Sequence, residues 1–198
     1  IVVTGALVRL TGSGLGCPTW PECTEGSLVP VEGQVEGFRV FIEFGNRLLT
    51  FLLAIVAIAT IVVVARRLPR RRPLILLAVL GLLGIAGQAV IGGITVLTGL
   101  NPWSVGAHFL LSIGLIAVAV ALLYRWDDPG DGPPKLLVRR ELWWWSWVVV
   151  AAALVVVVLG VLVTGSGPHG GDEDVLTRMP WDPRTMSWLH ADAVLFFL

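Results

Sequence analysis

Charge is scarce in this 198-residue chain. Asp, Glu, Lys and Arg make up 14% of it, and they cancel to a formal net charge of zero. A neutral chain lacks the long-range attraction on which nucleic-acid binding depends. Cysteine is scarcer still, with only Cys17 and Cys23, and the histidine nearest to them in sequence is His108. A zinc site there would want two further ligands. Neither of the two glycine runs ends in the Lys-Ser/Thr of a phosphate loop, which argues against nucleotide binding. No signal peptide is visible, and the chain opens Ile-Val-Val and stops at Leu198 inside the apolar run 193–198, so it reads as a fragment cut within helices at both ends. What is abundant is apolar: 56% of the residues are hydrophobic and the mean hydropathy is +0.84. A soluble domain of this composition would have too little polar surface, so the chain reads as an integral membrane protein.

A spanning helix needs about 20 apolar residues. Four segments meet that requirement: Val40 to Ala65, Leu74 to Leu97, Trp103 to Tyr124 and Leu142 to Val163. Ile1 to Leu10 reads as the end of a first helix, and Met186 to Leu198 as the start of a sixth. The connection 66–73 carries Arg66, Arg67, Arg70, Arg71 and Arg72, and the connection 125–141 carries Arg125, Lys135, Arg139 and Arg140. Both are expected in the cytoplasm. The alternate loop 15–38 holds Glu22, Glu25, Glu32 and Glu36 without Lys or Arg until Arg39, and 165–185 is rich in Gly, Pro and Asp, so both are expected outside. Trp143, Trp144, Trp145 and Trp147 follow a basic loop, where an interfacial aromatic belt belongs. Gly81, Gly84 and Gly87, followed by Gly92-Gly93, let helix three approach a neighbour and read as plain packing.

The run Thr11-Gly12-Ser13-Gly14 returns as Thr164-Gly165-Ser166-Gly167, each copy at the end of an apolar segment, which suggests two related halves. Glu43, Asn46, Arg47 and Thr50 share one face of helix two. A Glu43–Arg47 pair that merely neutralises itself fits this spacing as well as a functional patch does. His108 lies one turn into helix four between Ser104 and Ser112, and His190 at a similar depth in helix six. An imidazole there is either a packing residue or a haem-iron ligand. His169, in the second outer loop, is a weaker candidate. Cys17 and Cys23 stand in a loop assigned to the outside, where a disulfide is expected, structural or redox-active. Arg9, Arg39 and Arg47 are near the outer helix ends and suit either a propionate or the carboxylates of Glu36 and Glu43.

The stretch Thr4-Gly5-Ala6-Leu7-Val8-Arg9-Leu10-Thr11-Gly12-Ser13-Gly14-Leu15-Gly16-Cys17-Pro18-Thr19-Trp20-Pro21 resembles the first outer-loop signature of the heme A synthases. Ile42-Glu43-Phe44-Gly45-Asn46-Arg47 resembles that family's Glu-x-x-His-Arg motif, Gly92 to Leu100 matches the segment before the helix-four histidine, and Gly165 to His169 opens the second outer loop. The resemblance implies an all-α, polytopic transmembrane bundle of two four-helix repeats, about six of whose eight helices are present. The repeats would be 1–124 and the start of a second at 142–198, joined by a cytoplasmic linker at 125–141. It implies oxidation of a methyl group of haem O to the formyl group of haem A for cytochrome oxidase. Haem b would be the cofactor and haem O the substrate, delivered by a heme O synthase. Self-association stays open. Glu43 would be the carboxylate beside the reacting haem, His108 a ligand in the first site and His190 a ligand in the second, with Arg47 and Asn46 also lining the cofactor. The setting would be a bacterial cell membrane, with the cysteine loop outside. Asn46 departs from the motif, because an amide ligates iron poorly. A non-catalytic b-type cytochrome or haem-carrying assembly factor is therefore the alternative. A transporter built from repeats fits less well, since the polar residues gather at one edge and not at the midplane.

Overall fold

The computed structural model describes every residue except 35–36, 68, 128–134, 173 and 176. Glu36 and the middle of the 125–141 linker, both named above, lie outside the described residues. The described residues form six helices: α1 (Val2–Leu10), α2 (Phe38–Arg66), α3 (Arg72–Leu97), α4 (Pro102–Asp127), α5 (Arg140–Ser166) and α6 (Pro183–Phe197). Each falls on a segment expected from hydropathy. Prolines set several of the starts: Pro73 stands in the first turn of α3, Pro102 opens α4 and Pro183 opens α6. Proline is tolerated there because those N–H groups have no helical acceptor. Side-chain caps add to this, with Asn101 Oδ1 accepting from the Trp103 amide (3.0 Å) and Asp182 Oδ2 from the Thr185 amide (2.7 Å).

At about 1.5 Å per residue, the helices α2 to α5, of 26 to 29 residues, exceed the roughly 30 Å hydrocarbon layer. No more than 11% of their most apolar stretches is buried within the chain. Side chains such as Phe51, Ile55, Leu83 and Leu123 therefore present their apolar surface outward, and the chain is a membrane protein. Each helix packs on its sequence neighbour, α1 on α2 through to α5 on α6. Glycines open the seams. The place of a Cβ on Gly84 is filled by Leu115 of α4, and that of Gly106 by Val161 of α5. Gly81, expected to share this role, meets nothing within 4 Å.

The two ends of the bundle are built differently. At the arginine-rich end, Val64, Leu74 and Ala78 form a small core with Trp126 against it. Arg67 stacks over the Trp126 ring at 4.3 Å and donates to its carbonyl, and Arg71 donates to the Arg125 carbonyl at 2.9 Å. At the opposite, disulfide end, the first glycine run and the loop that follows the second meet the α3–α4 turn. The Gly14 amide donates to the Gly171 carbonyl (2.8 Å), and Leu100 presses its methyl groups into the space that side chains at Gly14 and Gly171 would need. Leu100 does this from a left-handed backbone conformation, φ +56°. The two copies of the run differ in structure. The first follows the end of α1, turned by Gly12 at φ +62°, whereas Gly165 and Ser166 remain in the last turn of α5.

Candidate functional site

Cys17 and Cys23 form a disulfide, and both are fully buried with Val40. Their loop is fastened to α2 by two side chains one helical turn apart. The Cys17 amide donates to Glu43 Oε2 at 2.6 Å. Arg47 donates Nε (3.0 Å) and Nη2 (2.6 Å) to Glu43 Oε1, Nη1 to the carbonyls of Thr19 and Glu22 (3.0 Å each), and Nη2 to the carbonyl of Cys17 (2.6 Å). A guanidinium has five N–H groups, and all five of Arg47 are engaged by the disulfide loop and Glu43. The self-neutralising pair weighed from spacing is thus present, and it also grips the loop. Glu43 is 5% exposed. Its Oε2 accepts one hydrogen bond and keeps one lone pair. Gly16 makes this approach possible, since a Cβ there would stand 2.7 Å from the Arg39 carbonyl oxygen.

The loop reaches α3 through Trp20. Its indole lies where a side chain on Gly93 would be, 2.5 Å from that Cβ position. On the adjacent residue, Gly92, the imidazole of His108 takes the same kind of place, with Cε1 at 3.3 Å. The Gly92-Gly93 pair thus seats two rings side by side, one from the disulfide loop and one from α4. Gln88, one turn earlier on α3, donates Nε2 to the His108 carbonyl (3.0 Å) and to Ser112 Oγ (2.9 Å). These bonds fix the α4 backbone that carries the histidine. Ser112 and Ser104 bond to backbone carbonyls, Ser112 to that of His108 itself.

His190 repeats the seat on the second helix pair. Its Cε1 is 3.3 Å from the Cβ position of Gly160 on α5, and Nδ1 of His108 and of His190 are both buried without a hydrogen-bond partner. With Nδ1 sealed inside against a glycine backbone, each imidazole has Nε2 as the nitrogen it could offer to an external group, and a haem iron fits that donor. Asn46 turns instead to α1, where its Oδ1 accepts from Thr4 Oγ1 at 2.7 Å. The patch of Glu43, Asn46 and Arg47 is therefore divided between the loop and α1. His169 is exposed, and its carbonyl accepts from Arg9 Nε at 2.8 Å.

Glu43, Arg47, Cys17 and Cys23 form one cluster, tied to His108 through Trp20 and the glycine pair, while His190 stands apart on α5 and α6. Sequence reasoning passed over Gln88, Trp20, Thr4 and Gly160. For Gln88 a signal existed, since it is a polar residue inside an apolar span. Thr4 and Trp20 stand in the quoted signature, which gives neither a role of its own, and Gly160 carries no signal, because its importance arises only from what packs on it.

The family model of the cytochrome oxidase assembly proteins, COX15-CtaA, matches residues 1–169. The chain is similar to the heme A synthase of Lysinibacillus sphaericus, 40% identical over 124 residues, which cover 62% of this chain and 38% of that protein. It is likewise similar to the heme A synthase of Geobacillus thermodenitrificans, 36% identical over 130 residues (63% and 39%), and to that of Halalkalibacterium halodurans, 31% identical over 141 residues (70% and 46%). The matched stretch thus spans less than half the length of each of these relatives. No solved structure matches the chain at a comparable level.

Proposed function

The chain belongs to the COX15-CtaA family of cytochrome oxidase assembly proteins, and on that premise we propose that it works as a heme A synthase, oxidising a methyl group of haem O to a formyl group in a bacterial cell membrane, with the disulfide loop outside. Written with water as the formal oxygen donor, the change is R–CH3 + H2O → R–CHO + 4H+ + 4e−. The electrons pass to an acceptor outside the chain, and a bound haem supplies the redox-active iron.

The observation that carries this reading is the shared seat on Gly92-Gly93, which joins the His108 imidazole to the loop that Glu43 and Arg47 hold. In this reading His108 holds the substrate haem in the first repeat, 1–124, and His190 holds haem b in the second, which begins at 142. Glu43 accepts a proton at Oε2, the oxygen that Arg47 leaves free. Arg47 orients that carboxylate and keeps the loop closed, so its proposed contact with cofactor is indirect. Trp20 covers the α3 side and excludes water.

Asn46, bonded to Thr4, favours the second reading, a b-type cytochrome or haem carrier, because α2 then offers an amide where the related motif has imidazole. One experiment separates the two readings. The full-length protein is expressed in a host that makes haem O but no haem A, and the extracted haems are separated by chromatography. Haem A, or its hydroxylated precursor, is the expected product. Bound haem b with haem O unchanged would replace the enzyme reading with the carrier.

A further inference from the structure

Two arginines at the disulfide end, Arg9 and Arg178, form no ion pair with a carboxylate among the described residues. Arg9, in the last turn of α1, donates Nε to the His169 carbonyl at 2.8 Å. Arg178 donates Nη2 to the neighbouring Pro168 carbonyl at 3.0 Å and Nη1 to the Thr177 carbonyl at 2.8 Å. Consecutive carbonyls thus fasten two guanidiniums from distant parts of the chain at one place. The contrast with Arg47 is one of valence: Arg47 uses all five N–H groups, whereas Arg9 uses one and Arg178 two.

Gly170 makes room for the Arg178 guanidinium: a Cβ there would stand 2.6 Å from Nη1 and 2.9 Å from Cζ, so a side chain would make the guanidinium shift. Both arginines line one cleft with Thr164, Thr177, His169 and Gly106. Like charges held this close raise the energy of the fold unless an anion answers them, and forked guanidiniums match the oxygens of a carboxylate or phosphate. The cleft is lined by the helices that seat the two imidazoles, α4, which carries His108, and α5, against which His190 rests. Gly106 is two residues from His108 on α4, and Thr164 is one turn from Gly160, on which His190 rests.

We propose that the Arg9–Arg178 cleft is an anion site that takes the carboxylate or phosphate end of an amphiphile lying along the bundle. Two molecules bring that chemistry: a haem, through a propionate, and an anionic phospholipid, through its phosphate. The haem source rests on the function proposed above, and the phospholipid source is independent of it.

The test uses the full-length protein in nanodiscs. Hemin is compared with hemin dimethyl ester by titration, and phosphatidylglycerol with phosphatidylcholine by native mass spectrometry. The wild type is expected to prefer the anionic member of one pair by about tenfold, and Arg9→Gln/Arg178→Gln to lose that preference with its melting temperature little changed. Loss in the hemin pair identifies a propionate, and loss in the lipid pair a phospholipid. If the double variant does not fold, Gly170→Ala, which displaces Arg178 without removing its charge, is expected to weaken the same preference. No preference in the wild type, or a preference that survives these variants, would overturn the proposal. Because both readouts are of binding, a protein that fails to convert haem O still decides the question.

Discussion

Glu43 and Arg47 show how one pair of side chains can have both a structural and a chemical part. Arg47 is four-fifths buried at the side chain and Glu43 more so. Glu43→Ala would leave that guanidinium without its counter-charge and the Cys17 amide without its acceptor. Breaking a buried pair costs on the order of 3 kcal/mol, and we expect a lower melting temperature of the full-length protein together with lost conversion. Glu43→Gln keeps an acceptor for Cys17 and removes the charge. It should keep more of the stability and lose the conversion, which is the outcome that marks a proton acceptor. A Gln variant that converts haem O normally would leave Glu43 a structural role only. Gln88→Leu removes both bonds to α4 at nearly constant volume. It is expected to cost about 0.5–1.5 kcal/mol and to alter the optical spectrum of haem bound at His108. An unchanged spectrum would show that Gln88 holds the helices and not the ligand.

Among the elements, α3 organises the site, because its adjacent glycines each admit a ring from a different part of the chain. Gly93→Ala puts a methyl group 2.5 Å from the Trp20 indole. We expect the indole to be expelled, and hydrogen exchange in residues 17–23 to accelerate. Gly84→Ala is a control: Leu115 Cδ2 is at 2.0 Å from its Cβ position, but it is the end of a flexible side chain that can turn away. Opening the disulfide as Cys17→Ser/Cys23→Ser should cost about 2 kcal/mol for so short a loop. The Arg47 contacts hold the same backbone without it. At the start of α6, hydrogen bonds from the Thr185 hydroxyl and amide hold the Asp182 carboxyl below its ordinary range. A depressed group stabilises the fold above its unfolded value and loses that effect as pH falls through its folded value. The α6 cap should therefore persist through the usual carboxylate range and fray only in stronger acid, which amide exchange at Thr185 would report.

In the whole molecule, three connections converge at the disulfide end. Leu100 is the wedge between the first glycine run and the second outer loop, and the Gly14–Gly171 hydrogen bond is the direct link between them. Gly14→Val would drive its side chain into both Leu100 and the Gly171 carbonyl, at 2.8 and 2.9 Å. The expected result is separation of the two loops, read as a loss of protection in residues 165–171 as well as in 11–17. Protection lost in the first loop alone would mean that the second is held independently.

The helices are legible in the amino-acid order because their cause is local and repetitive: runs of about 20 apolar residues must satisfy their backbone internally in a membrane, and proline and arginine mark where the runs stop. Cys17 with Cys23, and Glu43 with Arg47, are legible for the same reason, since the partners are close in sequence. Tertiary structure alone decided the rest. Whether Glu43 and Arg47 grip a loop, that Asn46 turns to α1, that Trp20 and His108 share a glycine pair, and that Arg9 meets Arg178 all depend on which helix faces which. Facing is set by packing at small residues, and an apolar helix in lipid carries little amphipathic pattern from which to read it.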